Sequence, residues 1–152
     1  MSYERVTFLG LGLIASSMFW AMRREGMRAH VTGYARSEQT RATAREIGLC
    51  DTVCDDLASA VREADLVVLC LPVGAMGAVM AEAAAHIKTG APVTDGGSVE
   101  RARMEAVVQE SVRGVQLVQA EPVAATHTAW ATAGSCVVSC CCRCPLNGRP
   151  RS

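Results

Sequence analysis

The stretch Val6-Thr7-Phe8-Leu9-Gly10-Leu11-Gly12-Leu13-Ile14-Ala15-Ser16-Ser17, close to the amino terminus, governs how the rest of the chain is read. A short apolar run passes through Gly-x-Gly-x-x-Ala straight into a helical pattern, which is the sequence form of a strand, a tight turn and a helix amino terminus. Gly10 is expected to let the chain turn sharply, and Gly12 to leave bare backbone open to an approaching group. Ala15 is small enough for the helix to lie close on the strand. The unpaired N–H groups of the first helical turn and the positive end of its dipole favour an anion there. In this strand–turn–helix context the pattern implies a dinucleotide pyrophosphate held against Gly10, Gly12, Leu13, Ile14 and Ala15.

Downstream, the alternation of apolar runs with helical patterns continues. Leu13 to Glu25 reads as a helix with Ile14, Met18, Ala21 and Met22 facing inward, stopped by Gly26. His30 to Tyr34 is a second strand, completing a βαβ unit of the usual length of about 30 residues. Ser37 to Ile47 is a polar helix closed by Gly48, and Thr52 to Cys54 a short edge strand. Asp55 or Asp56 caps a helix that reaches about Glu63. Asp65 to Leu71, apolar without a break after Asp65, is a strand suited to the middle of a sheet, ended by Pro72-Val73-Gly74. A helix from Ala75 to His86 buries Met76, Val79, Met80 and Ala83, with His86 as a partner of its carboxy-terminal dipole. Ala91 to Asp95 is a fifth strand, Gly96-Gly97-Ser98 leads into a helix over 99–112 capped by Ser98, and Val115 to Gln119 is a sixth strand.

This order predicts an α/β fold, a doubly wound parallel sheet of Rossmann type with strand order 3-2-1-4-5-6. In such a sheet ligands lie beyond the carboxyl ends of the strands where the order reverses, which puts Leu71, Pro72 and Val73 beside the cofactor. The end of the second strand is where cofactor choice is made. An NAD site commonly has an acidic residue about 20 positions after the glycines, where it accepts hydrogen bonds from ribose hydroxyls. Here Ala35 occupies that place, followed by Arg36 and Ser37, and a guanidinium with a hydroxyl can hold a 2′-phosphate that a carboxylate would repel. NADP is therefore expected ahead of NAD, against the plainer reading of Arg36 as a solvated charge and Ser37 as a helix cap.

Composition narrows the class. The chain has 152 residues, half of them hydrophobic, the size of one domain. Its 15 basic residues balance its 15 acidic ones, so no overall field favours nucleic acid or an anionic membrane. No apolar run approaches the roughly 20 residues needed to span a bilayer, and Met1 to Arg5 lacks a signal-peptide layout, so a cytoplasmic protein is expected. Cys50, Cys54 and Cys70 are then reduced thiols, with Cys70 a small core residue of its strand.

Four motifs together resemble the prephenate and arogenate (cyclohexadienyl) dehydrogenases of tyrosine biosynthesis. They are Gly10-Leu11-Gly12-Leu13-Ile14-Ala15-Ser16-Ser17, Gly33-Tyr34-Ala35-Arg36-Ser37, Leu69-Cys70-Leu71-Pro72-Val73-Gly74-Ala75-Met76, and Val93-Thr94-Asp95-Gly96-Gly97-Ser98-Val99. The resemblance runs from Tyr3 to Ala124 and implies an oxidative decarboxylation. Hydride passes from the ring carbon bearing the 4-hydroxyl to the nicotinamide, and loss of carbon dioxide makes the ring aromatic. It further implies that Gly97 lies beside the cofactor and that Ser98 is a catalytic serine near the substrate hydroxyl. The family's His-Pro-x-Ala-Gly-Thr-Glu motif carries a histidine that hydrogen-bonds to that hydroxyl. The matching stretch is Glu121-Pro122-Val123-Ala124-Ala125-Thr126-His127, with glutamate in the histidine's place. A carboxylate with an ordinary pKa of about 4.3 suits a base near neutrality poorly and repels the carboxylates of prephenate or arogenate. His127 as a displaced base is a lesser reading than a surface histidine.

Residues 1–124 are accordingly expected to form the NAD(P)-binding domain, without the helical second domain that in the family forms a homodimer and completes the small-molecule substrate site. Residues 125–152 carry Cys136, Cys140, Cys141, Cys142 and Cys144 and no acidic residue. That composition predicts an atypical, disordered, oxidation-prone tail, and the sequence from Ala120 onward is expected to be the degenerate or frame-shifted end of a longer coding region. A zinc or copper site is the alternative for the thiolates, but the three adjacent cysteines do not have zinc-knuckle spacing, so no metal site is assigned. The reading that results is an NADP-preferring dehydrogenase-like chain impaired in turnover. Another NADP-linked hydroxyacid or imino-acid reductase, and a non-catalytic nucleotide- or metal-binding module, remain alternatives.

Overall fold

The computed structural model describes residues 3–95 and a two-residue strand at 116–117. The chain alternates β1 (Arg5–Leu9), α1 (Leu13–Arg24), β2 (His30–Tyr34), α2 (Glu38–Glu46), β3 (Thr52–Val53), α3 (Leu57–Arg62), β4 (Leu66–Leu69), α4 (Val73–Ala83), β5 (Pro92–Asp95) and β6 (Gln116–Leu117). The strands form one sheet of order β3-β2-β1-β4-β5-β6, all paired in parallel. This is the doubly wound arrangement expected from the alternation of elements. The order reverses between β1 and β4, where Leu9 pairs with Leu69.

Side-chain alternation along the central strands sorts the core into two layers. Val6 and Phe8 of β1, with Leu66 and Val68 of β4, join Ala15, Met18, Phe19 and Met22 of α1 and Ala44 of α2 on one face. Leu9, Val67 and Leu69 join Leu57 and Val61 of α3 and Met76, Met80 and Ala83 of α4 on the other. Among the described residues two helices cover each face, and both central strands are buried along nearly their whole length. Thr7 is the one buried polar residue of these two strands. Its hydroxyl donates to the carbonyl of Ala60 at 2.7 Å, so burying it leaves no unpaired group.

Three details depart from the sequence reading. Ile14 is 43% exposed rather than inward, because α1 lies on the sheet through Ala15, Met18, Phe19 and Met22, and Ile14 stands about 100° around the helix from Ala15. Next, α4 begins at Val73, two residues earlier than expected, with Pro72 as its N-cap, and ends at Ala83. Pro72 belongs there because its fixed φ leads into a helix and its missing N–H costs nothing at that end. His86 therefore lies exposed beyond the helix. Finally, Cys70 sits one residue past β4, half-buried, with its N–H donating to Leu9 at 2.7 Å. The helix expected over 99–112 and the cysteine-rich residues 136–144 lie outside the described residues.

Candidate functional site

The carboxyl ends of β1, β2 and β4 bring three turns together. In the first, Gly10 has φ +97°, and a Cβ there would overlap the carbonyl oxygen of Cys70 and stand 3.0 Å from a Leu71 methyl. Only glycine fits, both for conformation and for space. The Gly10 N–H donates to the Tyr34 carbonyl at 2.8 Å, which ties the first turn to the end of β2.

Gly12 is the N-cap of α1 and faces open space, with nothing within 4 Å of the position a Cβ would take. No side chain caps this helix, and its first turn holds no acidic residue. The first hydrogen bond back along the helix runs from the Ser16 N–H to the Gly12 carbonyl at 3.0 Å. The N–H groups of Leu13, Ile14 and Ala15 accordingly have no partner inside the helix. Open backbone in front of an uncapped helix amino terminus can receive an anionic group. Ala15, fully buried, is what seats the helix close to β1 at that point. Leu13 is 71% exposed and Val73 44%. Together with exposed Ile14 and Pro72 and half-buried Leu71, they give the edges of the turns after β1 and β4 an apolar character.

The third turn, after β2, holds Ala35, Arg36 and Ser37. Ala35 is buried, while Arg36 and Ser37 are exposed. Ser37 caps α2, accepting from the Thr40 N–H at 3.4 Å. That is the structural role weighed for it in the sequence, and it leaves the hydroxyl proton free to donate elsewhere. Sequence reasoning overlooked Arg41. Its Nη1 donates to the carbonyls of Ala35 at 2.7 Å and Arg36 at 3.0 Å, holding the turn from beneath. Gly33 was also passed over as a packing position. A Cβ on it would stand 2.7 Å from both the Cys50 sulfur and a Leu11 methyl.

Of the remaining sequence candidates, Gly97, Ser98, Glu121 and His127 lie outside the described residues. Asp95, at the end of β5, is buried and in register with Leu69. Burial pushes the Cys70 thiol up to about 12, with the Asp95 carboxylate and Cys50 adding to the shift. Cys50 is likewise raised to about 12, first by burial and then by Asp51. Neither thiol is a nucleophile at neutral pH. Among the described residues no three His, Cys, Asp or Glu side chains group as metal ligands, and no helix is long and apolar enough to cross a membrane.

Residues 19–136 match the family described as prephenate dehydrogenase, nucleotide-binding domain. The chain belongs to that family. One relative is the cyclohexadienyl dehydrogenase of Zymomonas mobilis, 38% identical over 132 residues. That alignment takes in 87% of this chain and 45% of the relative. The chain thus spans a little under half the length of this curated relative. Among solved structures, prephenate dehydrogenase from A. aeolicus, in complex with hydroxyphenyl propionate and NAD+, superposes with a TM-score of 0.69 at 22% identity. It covers 84% of this chain, which covers 44% of it, and the likeness carries the fold alone. Arogenate dehydrogenase from Synechocystis matches with a TM-score of 0.58 at 29% identity, over 68% of this chain and 37% of that one.

Proposed function

We propose that this chain is the cofactor-binding part of a dehydrogenase acting on prephenate or arogenate, with NADP preferred and NAD accepted less well. The observation that carries the reading is the open backbone at Gly12 before an uncapped, acid-free first turn of α1. The N–H groups of Leu13, Ile14 and Ala15 would hold the pyrophosphate, and Gly10 sets the turn that aims them. Arg36 and Ser37 would take the 2′-phosphate, with Ala35 contributing no opposing charge. Leu71, Pro72 and Val73 would flank the cofactor on the β4 side, and Gly97 would lie beside it. When bound, the nicotinamide supplies the hydride acceptor.

On this reading Ser98 orients the substrate hydroxyl, and Glu121 occupies the position of the family's histidine. A carboxylate there cannot act as a neutral base against an anionic substrate. Turnover by the chain alone is therefore impaired while cofactor binding persists.

Titration of the 152-residue chain with NADP and NAD tests the cofactor half. Binding is expected with NADP the tighter, and Arg36→Ala is expected to weaken NADP about tenfold while hardly changing NAD. Equal losses for both would refute the assignment of Arg36, and absence of binding to either would refute the cofactor reading. Following NADPH formation with prephenate and with arogenate tests the other half. A Glu121→His substitution is expected to raise the rate; vigorous turnover by the unaltered chain would overturn the assignment of Glu121.

A further inference from the structure

Three arginines stand at the carboxyl edge of β2 and along α2, and they are used differently. Arg41 and Arg45 share the carboxylate of Asp55, Arg41 through Nε at 3.2 Å and Arg45 through Nη2 at 2.7 Å. Arg45 Nη2 also donates to the Val53 carbonyl at 2.9 Å. Arg36 makes no hydrogen bond or ion pair through its guanidinium among the described residues, whereas its backbone carbonyl is held by Arg41.

That hold has a particular form. One nitrogen, Arg41 Nη1, donates to two successive carbonyls, those of Ala35 and Arg36. Two adjacent carbonyls converging on one donor restrict the peptide between them, and therefore the direction in which the Arg36 side chain leaves the backbone. Arg41 is itself fixed, its side chain only 13% exposed and its Nε directed to Asp55 on the β3–α3 turn. A planar guanidinium can serve two carbonyls and a carboxylate at once, which an ammonium cannot do with the same geometry.

We propose that Arg41 is a positioning residue that sets cofactor discrimination. It presents Arg36 in an orientation suited to a 2′-phosphate, with Asp55 as the brace behind it. The inference rests on the reading of Arg36 as the phosphate-binding cation. NADP uses the ordered turn through that phosphate, whereas NAD has no group there to gain from the ordering. Releasing the turn imposes the cost of ordering it on NADP binding alone.

The test is titration of the full chain and its variants with NADP and NAD. Arg41→Lys keeps the charge and the packed stem, so the fold is retained. It is expected to weaken NADP about tenfold and NAD by less than about twofold. Asp55→Asn, at an exposed position, is expected to move the NADP-to-NAD ratio in the same direction by a smaller factor. A purely structural role would lower thermal stability or weaken both dinucleotides together without moving the ratio. An unmoved ratio in both variants, while Arg36→Ala still weakens NADP selectively, overturns the role of Arg41 and leaves that of Arg36 standing. If Arg36→Ala has no selective effect, the reading of Arg36 falls and this inference falls with it.

Discussion

The carbonyl oxygen of Cys70 occupies the place that a Cβ on Gly10 would need. The turns after β1 and β4 therefore touch backbone to backbone at the point where the strand order reverses. Gly12, two residues on, meets nothing. The two glycines of one short motif thus differ in their surroundings, the first closed in by the fold and the second open, where on the proposed reading the pyrophosphate would sit.

Substitution separates the two. Gly10→Ala forces a left-handed backbone on a residue with a Cβ and drives that atom into a carbonyl that cannot retreat. The expected loss is about 2–4 kcal/mol, seen as a clear fall in Tm. Gly12→Ala has an ordinary backbone conformation and free space, so stability should change by less than about 1 kcal/mol. Its methyl group would stand over the open N–H groups, and binding of both dinucleotides should drop. Thermal melts and titrations of the two variants, compared side by side, check the contrast.

Ala35→Asp tests the charge logic at the end of β2. A carboxylate there would repel a 2′-phosphate and accept hydrogen bonds from ribose hydroxyls. NADP affinity should fall about tenfold or more and NAD should become the tighter ligand. Competition between the two dinucleotides reads the outcome, and an unchanged preference would count against a ribose site at this turn.

At the opposite end of β2, Asp51 accepts the N–H of Val31 at 2.7 Å and pairs with Arg23. Val31 is fully buried, so Asp51→Ala leaves its N–H without that acceptor, at an expected cost of about 1–3 kcal/mol. Arg23 keeps its bonds to the carbonyls of Met27 at 3.0 Å and Ala29 at 3.1 Å. Because this cluster lies at the amino end of the strand, the ratio of NADP to NAD affinity should not move. Denaturant melts and titration together check both statements.

The raised thiols of Cys50 and Cys70 predict both reactivity and pH dependence. Each is pushed to about 12, so at pH 8 alkylation mapped by mass spectrometry should be slow at both until denaturant is added. In the unfolded chain these thiols lose their protons at ordinary values, while the folded chain still holds them. Above about pH 9 the unfolded state therefore binds fewer protons, and stability should fall progressively as pH rises toward 12.

Much of the fold was legible because its signals are local. β2 was bounded to the residue by His30 and Tyr34, and the helix caps at Ser37 and Asp56 stood where short polar side chains meet helical patterns. The rotation of α1 was less legible. Ile14 and Ala15 are both apolar, and periodicity cannot say which one faces a strand when the smaller makes the closer approach. The end of α4 is blurred in the sequence for a similar reason, since an Ala-rich segment has helical propensity beyond the residues that remain helical.

The glycine turn, the succession of strands and helices, and Ala35 and Arg36 at the end of β2 could all be read from neighbours along the chain. Each depends on backbone conformation or side-chain type within a few residues. The overlap of Gly10 with Cys70, the hollow that Gly33 leaves for Leu11 and Cys50, and the bracing of Arg41 by Asp55 came only with folding. They join atoms from different strands and turns, and distance along the chain carries no signal of distance in space until the sheet has set its register.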